Sequence, residues 1–137
     1  MTVLLDTNII MDALQERHPF DIEAKEILKR AGDGTFTCLF TANAATDIFY
    51  LYSKARDVKS AKVALDFLLT NYGVVPVTHE DCNAALSIPI DDFEDALVVV
   101  CAQSAKADYI ITRDDEFLQA TSPIKLITPK AFVDMLG

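Results

Sequence analysis

The sequence predicts an α/β fold: a three-layer α/β/α sandwich in which a five-stranded parallel sheet lies between helices. Two observations carry this reading. Short apolar runs rich in β-branched residues alternate along the chain with longer segments of helical periodicity, the pattern of a parallel sheet with helical crossovers. The strand-like runs are also continuously apolar, as strands covered on both faces must be. A third observation is size. The 137 residues are 51% apolar and 24% charged, enough for one core, and no linker, repeat or low-complexity stretch divides residues 1–137. One domain is expected.

The elements follow in order. Thr2-Val3-Leu4-Leu5 is an apolar run ended by Asp6-Thr7-Asn8, a buried strand with Asp6 at its carboxyl end. Residues 9–14 start a helix, and Pro19 marks the next, over residues 20–31, with Phe20, Ala24, Ile27 and Leu28 at helical spacing and Gly32 and Gly34 as its stop. Residues 35–40 form a second strand candidate. Thr41 or Asn43 then caps a helix to about residue 56, with Ile48, Phe49, Leu51 and Tyr52 as its apolar stripe and Asp47 in its first two turns. The spacing of Val63, Ala64, Phe67 and Leu68 makes residues 58–72 helical, and Gly73 closes that helix before a strand at 74–77. A short helix covers residues 80–86.

Asp91, with Glu94 three residues on, makes a capping-box-like start to a helix reaching Lys106. Val98-Val99-Val100 within it would suit a strand, but the cap and the length favour a buried helix. Residues 108–112 and 124–127 are the fourth and fifth strands, and Thr128-Pro129 caps a last helix to Leu136.

Several chemistries are excluded. Cys38, Cys82 and Cys101 show no Cys-x-x-Cys spacing and read as small buried hydrophobes, while His18 and His79 share no zinc-site spacing. The four glycines make neither a dinucleotide fingerprint nor a P-loop, and no Gly-x-Ser-x-Gly elbow occurs. The longest apolar run, residues 96–102, is far below the ~18 residues of a membrane span, and residues 1–6 lack the features of a signal peptide. A cytoplasmic location is expected.

Charge is the first positive signal. The chain carries 21 acids against 12 Lys and Arg, a net −9. Residues 91–116 hold eight acids against Lys106 and Arg113, a net −6. A solvated acidic face is the plain account. The sharper one follows from topology, because ligands of a parallel sheet bind outside the carboxyl ends of the strands, where strand order reverses. Asp6 lies just after the first strand and Asp114/Asp115 after the fourth, while Asp95 and Asp47 open helices that can face the same crevice. Converging carboxylates without His or Cys make a hard-cation site for Mg²⁺ or Mn²⁺. Two such ions activate water against a phosphodiester, which is nuclease chemistry.

At Leu4-Leu5-Asp6-Thr7-Asn8, Asp92-Phe93-Glu94-Asp95-Ala96-Leu97 and Asp108-Tyr109-Ile110-Ile111-Thr112-Arg113-Asp114 the chain resembles the PIN-domain nucleases, in motif, order and spacing over nearly its whole length. The resemblance implies a five-stranded parallel sheet and a Mg²⁺- or Mn²⁺-dependent endoribonuclease acting on single-stranded RNA, like the VapC-type toxins of toxin–antitoxin pairs. It makes Asp6, Asp95 and Asp114 metal-binding acids, Asn8 and Thr112 polar supports, and Asp47 the second-helix acid. Asp47 stands where the family commonly carries the longer Glu, so direct and water-bridged contact both stay open. Asp114 and Asp115 both remain candidates for the closer ligand.

An RNA substrate calls for cations. Lys54, Arg56, Lys59 and Lys62 cluster at a helix–helix junction, as a solvated turn or an RNA track, and Arg113 is a candidate for the scissile phosphate or for an ion pair with Asp114 or Asp115. The acidity also suits a basic antitoxin, and a homodimer is the expected assembly. Two rival readings are a PIN fold without activity that serves as a binding scaffold and a phosphoacceptor receiver-like module. The second lacks an acidic neighbour for Asp6 and a lysine at the end of the fifth strand, since Lys125 lies early in it.

Overall fold

β1 (Thr2–Leu5) is the central strand of a five-stranded sheet completed by β2 (Thr37–Thr41), β3 (Gly73–Val75), β4 (Tyr109–Ile111) and β5 (Lys125–Ile127), in a computed structural model that describes residues 1–137. The order is β3-β2-β1-β4-β5 and every pairing is parallel. The chain therefore winds outward from β1 to β3 on one side, then returns to place β4 and β5 on the other. The reversal falls between β1 and β4. There the register sets Leu5 against Ile111, so the residues that follow, Asp6 and Thr112, emerge side by side.

Seven helices connect the strands and an eighth follows β5: α1 (Thr7–Leu14), α2 (Asp21–Gly32), α3 (Ala42–Ala55), α4 (Val58–Asn71), α5 (His79–Ala85), α6 (Phe93–Ser104), α7 (Asp115–Leu118) and α8 (Pro129–Leu136). Alternate residues of a strand point to opposite faces, and the two cores divide on that rule. Val3, Leu5, Cys38, Phe40 and Ile111 pack with Ile10, Ile27, Ile48, Leu68 and Phe132, from α1, α2, α3, α4 and α8. Leu4, Ile110 and Val75 pack with Ala85, Phe117 and the buried run Ala96 to Ala102, from α5, α7 and α6. Each fully buried Leu, Ile or Phe contributes roughly 1.5–3 kcal/mol through removal of its surface from water. The α/β sandwich is as the sequence predicts.

Element boundaries moved for physical reasons. β2 begins at Thr37 rather than residue 35, because the amides of Gly34 and Thr35 bond back to Ala31 and Arg30 through Gly34 at φ 85°. Thr41, not Asn43, caps α3, its hydroxyl accepting from the Ala44 amide at 3.0 Å. α6 is capped by Asp92, which accepts from the Asp95 amide at 3.0 Å, and not by Asp91. Both acids have a second acid three residues on, so spacing alone left a one-residue slip. The single turn of α7 was not expected.

Candidate active site

The carboxyl end of β1 delivers Asp6 into a site already furnished with donors. Its backbone amide continues the sheet onto Ile111 at 3.0 Å. One carboxylate oxygen caps α1 by accepting from the Thr7 amide at 2.8 Å, and the other accepts from the Thr112 hydroxyl at 2.7 Å and from Asn8 Nδ2 at 3.4 Å. Thr112, fully buried, accepts in turn from the Asp114 amide at 3.2 Å. A chain of hydrogen bonds thus ties β1, α1 and the loop after β4 to one carboxylate. Asp114 caps α7 by accepting from Glu116 and Phe117 amides.

Asp6, Thr7, Asn8 and Asp114 line a crevice of about 510 Å³, together with Asp47 from α3 and Asp92, Glu94 and Asp95 from the start of α6. Asp6, Asp92 and Asp114 each cap a helix, so three positive helix ends face the acids and offset part of their repulsion. Repulsion still shows. Burial pushes the Asp6 carboxyl up, against the bonds from Thr112 and Thr7, and the Asp114 and Asp92 charges add to the rise. Asp95 is pushed up to about 7 by desolvation and then by Asp92, Asp6 and Asp114. Glu94 is pushed up to about 7 by desolvation and then by the Asp47 carboxylate beside it. The acids line the crevice without closing on one another: no three His, Cys, Asp or Glu side chains are grouped tightly enough to hold an ion as they stand.

A family profile described as PIN domain matches residues 2–116. The chain belongs to the PIN-domain family. No curated protein is similar to it by sequence, but solved structures share its fold. VapBC bound to DNA from Salmonella typhimurium is 12% identical with a TM-score of 0.72, covering 94% of this chain and 98% of that one. VapBC2 from Rickettsia felis, bound to a DNA fragment from its promoter, is 19% identical with a TM-score of 0.71, over 93% and 98%. Mycobacterium tuberculosis VapC20, a sarcin–ricin loop cleaving toxin, is 15% identical with a TM-score of 0.68, over 84% and 92%.

Within this PIN domain the structure brings Asp6, Asn8, Asp47, Asp95 and Asp114 to one crevice, with Thr112 buried behind it. Asp115 does not line it; it is the exposed first residue of α7. Arg113 pairs with neither Asp114 nor Asp115. Its Nε and Nη2 bind both oxygens of Asp12, at 2.5 and 2.9 Å, and its guanidinium lies 4.0 Å from the Phe20 ring centroid. Asp12 is 1% exposed, and the pair locks the β4–α7 loop to α1. The basic cluster divides: Lys54 sits over Tyr50, a crevice residue, whereas Arg56 and Lys59 line a separate groove with Leu14, Val63 and Phe67.

Sequence reasoning missed Arg17, Tyr50 and Glu94 as crevice residues. Glu94 was visible as the neighbour of Asp95 on a helix's first turn. Arg17 gave no signal, since it reaches the crevice only through the turn after α1, where Glu16 adopts φ 51°.

Proposed function

We propose that the chain is a Mg²⁺- or Mn²⁺-dependent endoribonuclease that hydrolyses single-stranded RNA and acts as the toxin of a type II toxin–antitoxin pair. The observation that carries this reading is the gathering of Asp6, Asp95 and Asp114 at the switch point of a PIN domain, in a crevice whose acidic side chains come from four separate stretches of chain. The donor set is oxygen only, which fits a hard divalent cation. Asn8 also keeps a buried oxygen without a protein donor, an acceptor that a hydrated cation would satisfy. Asp6, Asp95 and Asp114 would hold the cation.

Bound there, such a cation supplies Lewis acidity, lowering the pKa of a water and offsetting charge on the leaving oxygen. Thr112 and Asn8 fix the orientation of Asp6. Glu94, raised to about 7 by desolvation and by Asp47 beside it, is a candidate general acid on the crevice wall. The VapBC and VapC20 neighbours support the toxin reading, and the net −9 suits a basic antitoxin. A homodimer is the proposed assembly, readable by light scattering. No helix is long and apolar enough to cross a membrane.

The test is cleavage of single-stranded RNA in Mg²⁺ or Mn²⁺. In-line attack by water leaves 5′-phosphate and 3′-hydroxyl ends, and excess EDTA should stop the reaction. Asp6→Asn and Asp95→Asn should abolish cleavage with the fold retained, and Asp47→Asn should be milder if Asp47 acts through water. Persistent cleavage in EDTA or 2′,3′-cyclic ends would overturn the mechanism. Mn²⁺ binding with no cleavage would favour the scaffold reading.

A further inference from the structure

Six carboxylates line the crevice, but only one cation, Arg17, and one aromatic ring, Tyr50. A strand of RNA reaching Asp6 brings phosphates into a field of like charge, so a cation at the mouth has to offset it. Arg113 is spent on both oxygens of Asp12 and on the face of Phe20. Arg17 is not. Its Nε donates to Gln15 Oε1 at 2.9 Å, and its Nη1 stands 3.6 Å from Asp12 Oδ1, an ion-pair distance beyond hydrogen-bond reach. A guanidinium carries five N–H donors, so Arg17 keeps donors free for an anion. Tyr50 is 58% exposed on α3, with Lys54 Nζ 5.3 Å from its ring centroid. An exposed ring flanked by a cation, beside an open crevice, can serve as a stacking platform for a base.

Resting on the nuclease reading, we infer that Tyr50 and Arg17 form the strand-binding mouth of the crevice. A base of single-stranded RNA stacks on Tyr50, beside Lys54, while Arg17 takes a phosphate close to the scissile one. Neither residue touches the reacting atoms; they bind and position the strand.

The experiment measures anisotropy of a fluorescein-labelled oligoribonucleotide in Ca²⁺, and KM and kcat in Mn²⁺, for the whole chain. Tyr50→Ala and Arg17→Gln should each weaken binding and raise KM about tenfold, in keeping with the stacking energy of one base, with kcat unchanged. Tyr50→Phe and Arg17→Lys should restore most of the loss. Arg17→Gln should also lower the slope of log affinity against log salt by about 0.7, the release expected for one phosphate on a single strand, while Tyr50→Ala leaves it unchanged. An oligonucleotide series with one abasic site should contain a position that weakens binding to wild type but not to Tyr50→Ala. Variants that bind, cleave and respond to salt like a wild type that itself cleaves RNA would overturn this inference alone. A wild type that neither binds nor cleaves RNA would overturn both it and the nuclease reading.

Discussion

Thr112 donates its hydroxyl proton to Asp6 and accepts from the amide of Asp114, so it holds two acids from opposite ends of the chain in one geometry. Thr112→Val keeps the shape and removes that hydroxyl. A hydrogen bond to a charged acceptor is worth about 1.5–3 kcal/mol, and chemical denaturation should show a loss of about 2 kcal/mol. The same bond is what lowers the Asp6 carboxyl against its burial. Asp6 should therefore titrate higher in Thr112→Val, which carboxyl chemical shifts would report, and Thr112→Ser should restore both properties. An unmoved Asp6 would mean that the hydroxyl bonds elsewhere in solution. Such a role was legible in the Thr112-Arg113-Asp114 motif only as a polar support; the register of β1 against β4 is what turns support into a direct contact.

Three helices begin at the crevice, and the acids at their first turns carry a structural duty whatever else they bind. Asp6, Asp92 and Asp114 satisfy orphan amides of α1, α6 and α7, a structural duty that any Asp before a helix can perform. The duty also aims a carboxylate past the helix end toward the strand termini. Asn caps a helix about as well as Asp, whereas Ala does not. Asp114→Asn should therefore match wild-type stability while losing Mn²⁺ affinity, and Asp114→Ala should lose that affinity and about 1 kcal/mol of stability besides. Calorimetric titration and thermal melts separate the two, and equal stability of both variants would remove the capping role. Sequence logic worked best on α6, where a cap and a long apolar run outweighed Val98-Val99-Val100, because seven consecutive buried residues are affordable for a helix lying between a sheet and its neighbours. It failed on α7, since one turn is too short for any periodicity.

Across the molecule the crevice acids are expected to couple stability to pH and to cations. Asp95 and Glu94 both sit at about 7 in the fold, well above their unfolded range near 4. The fold holds protons that the unfolded chain has released, so their contribution is full below about pH 4 and is lost as pH rises toward 7. The metal-free chain should melt lower at pH 8 than at pH 5.5, and Asp95→Asn should flatten that slope and melt higher than wild type at pH 8. Mn²⁺ at a hundredfold excess over Kd should add about 2.7 kcal/mol, several degrees in Tm, and more at pH 8 than at 5.5 because protons compete for the same oxygens. Melts at constant ionic strength check this, and a flat profile with no response to Mn²⁺ would return the acids to a solvated face. At this scale the sequence was informative about which acids follow strands, and silent about Arg17 and Asp12, whose places depend on a turn and on tertiary packing rather than on any period along the chain.

The strand order has a consequence in time. β1 is synthesised first, yet its neighbour β4 comes from residues 109–111 and the hydroxyl that holds Asp6 from residue 112. A growing chain has neither until most of its length has left the ribosome. Until residues 109–112 are free to fold back beside β1, the crevice lacks both the strand next to Asp6 and the hydroxyl that orients its carboxylate.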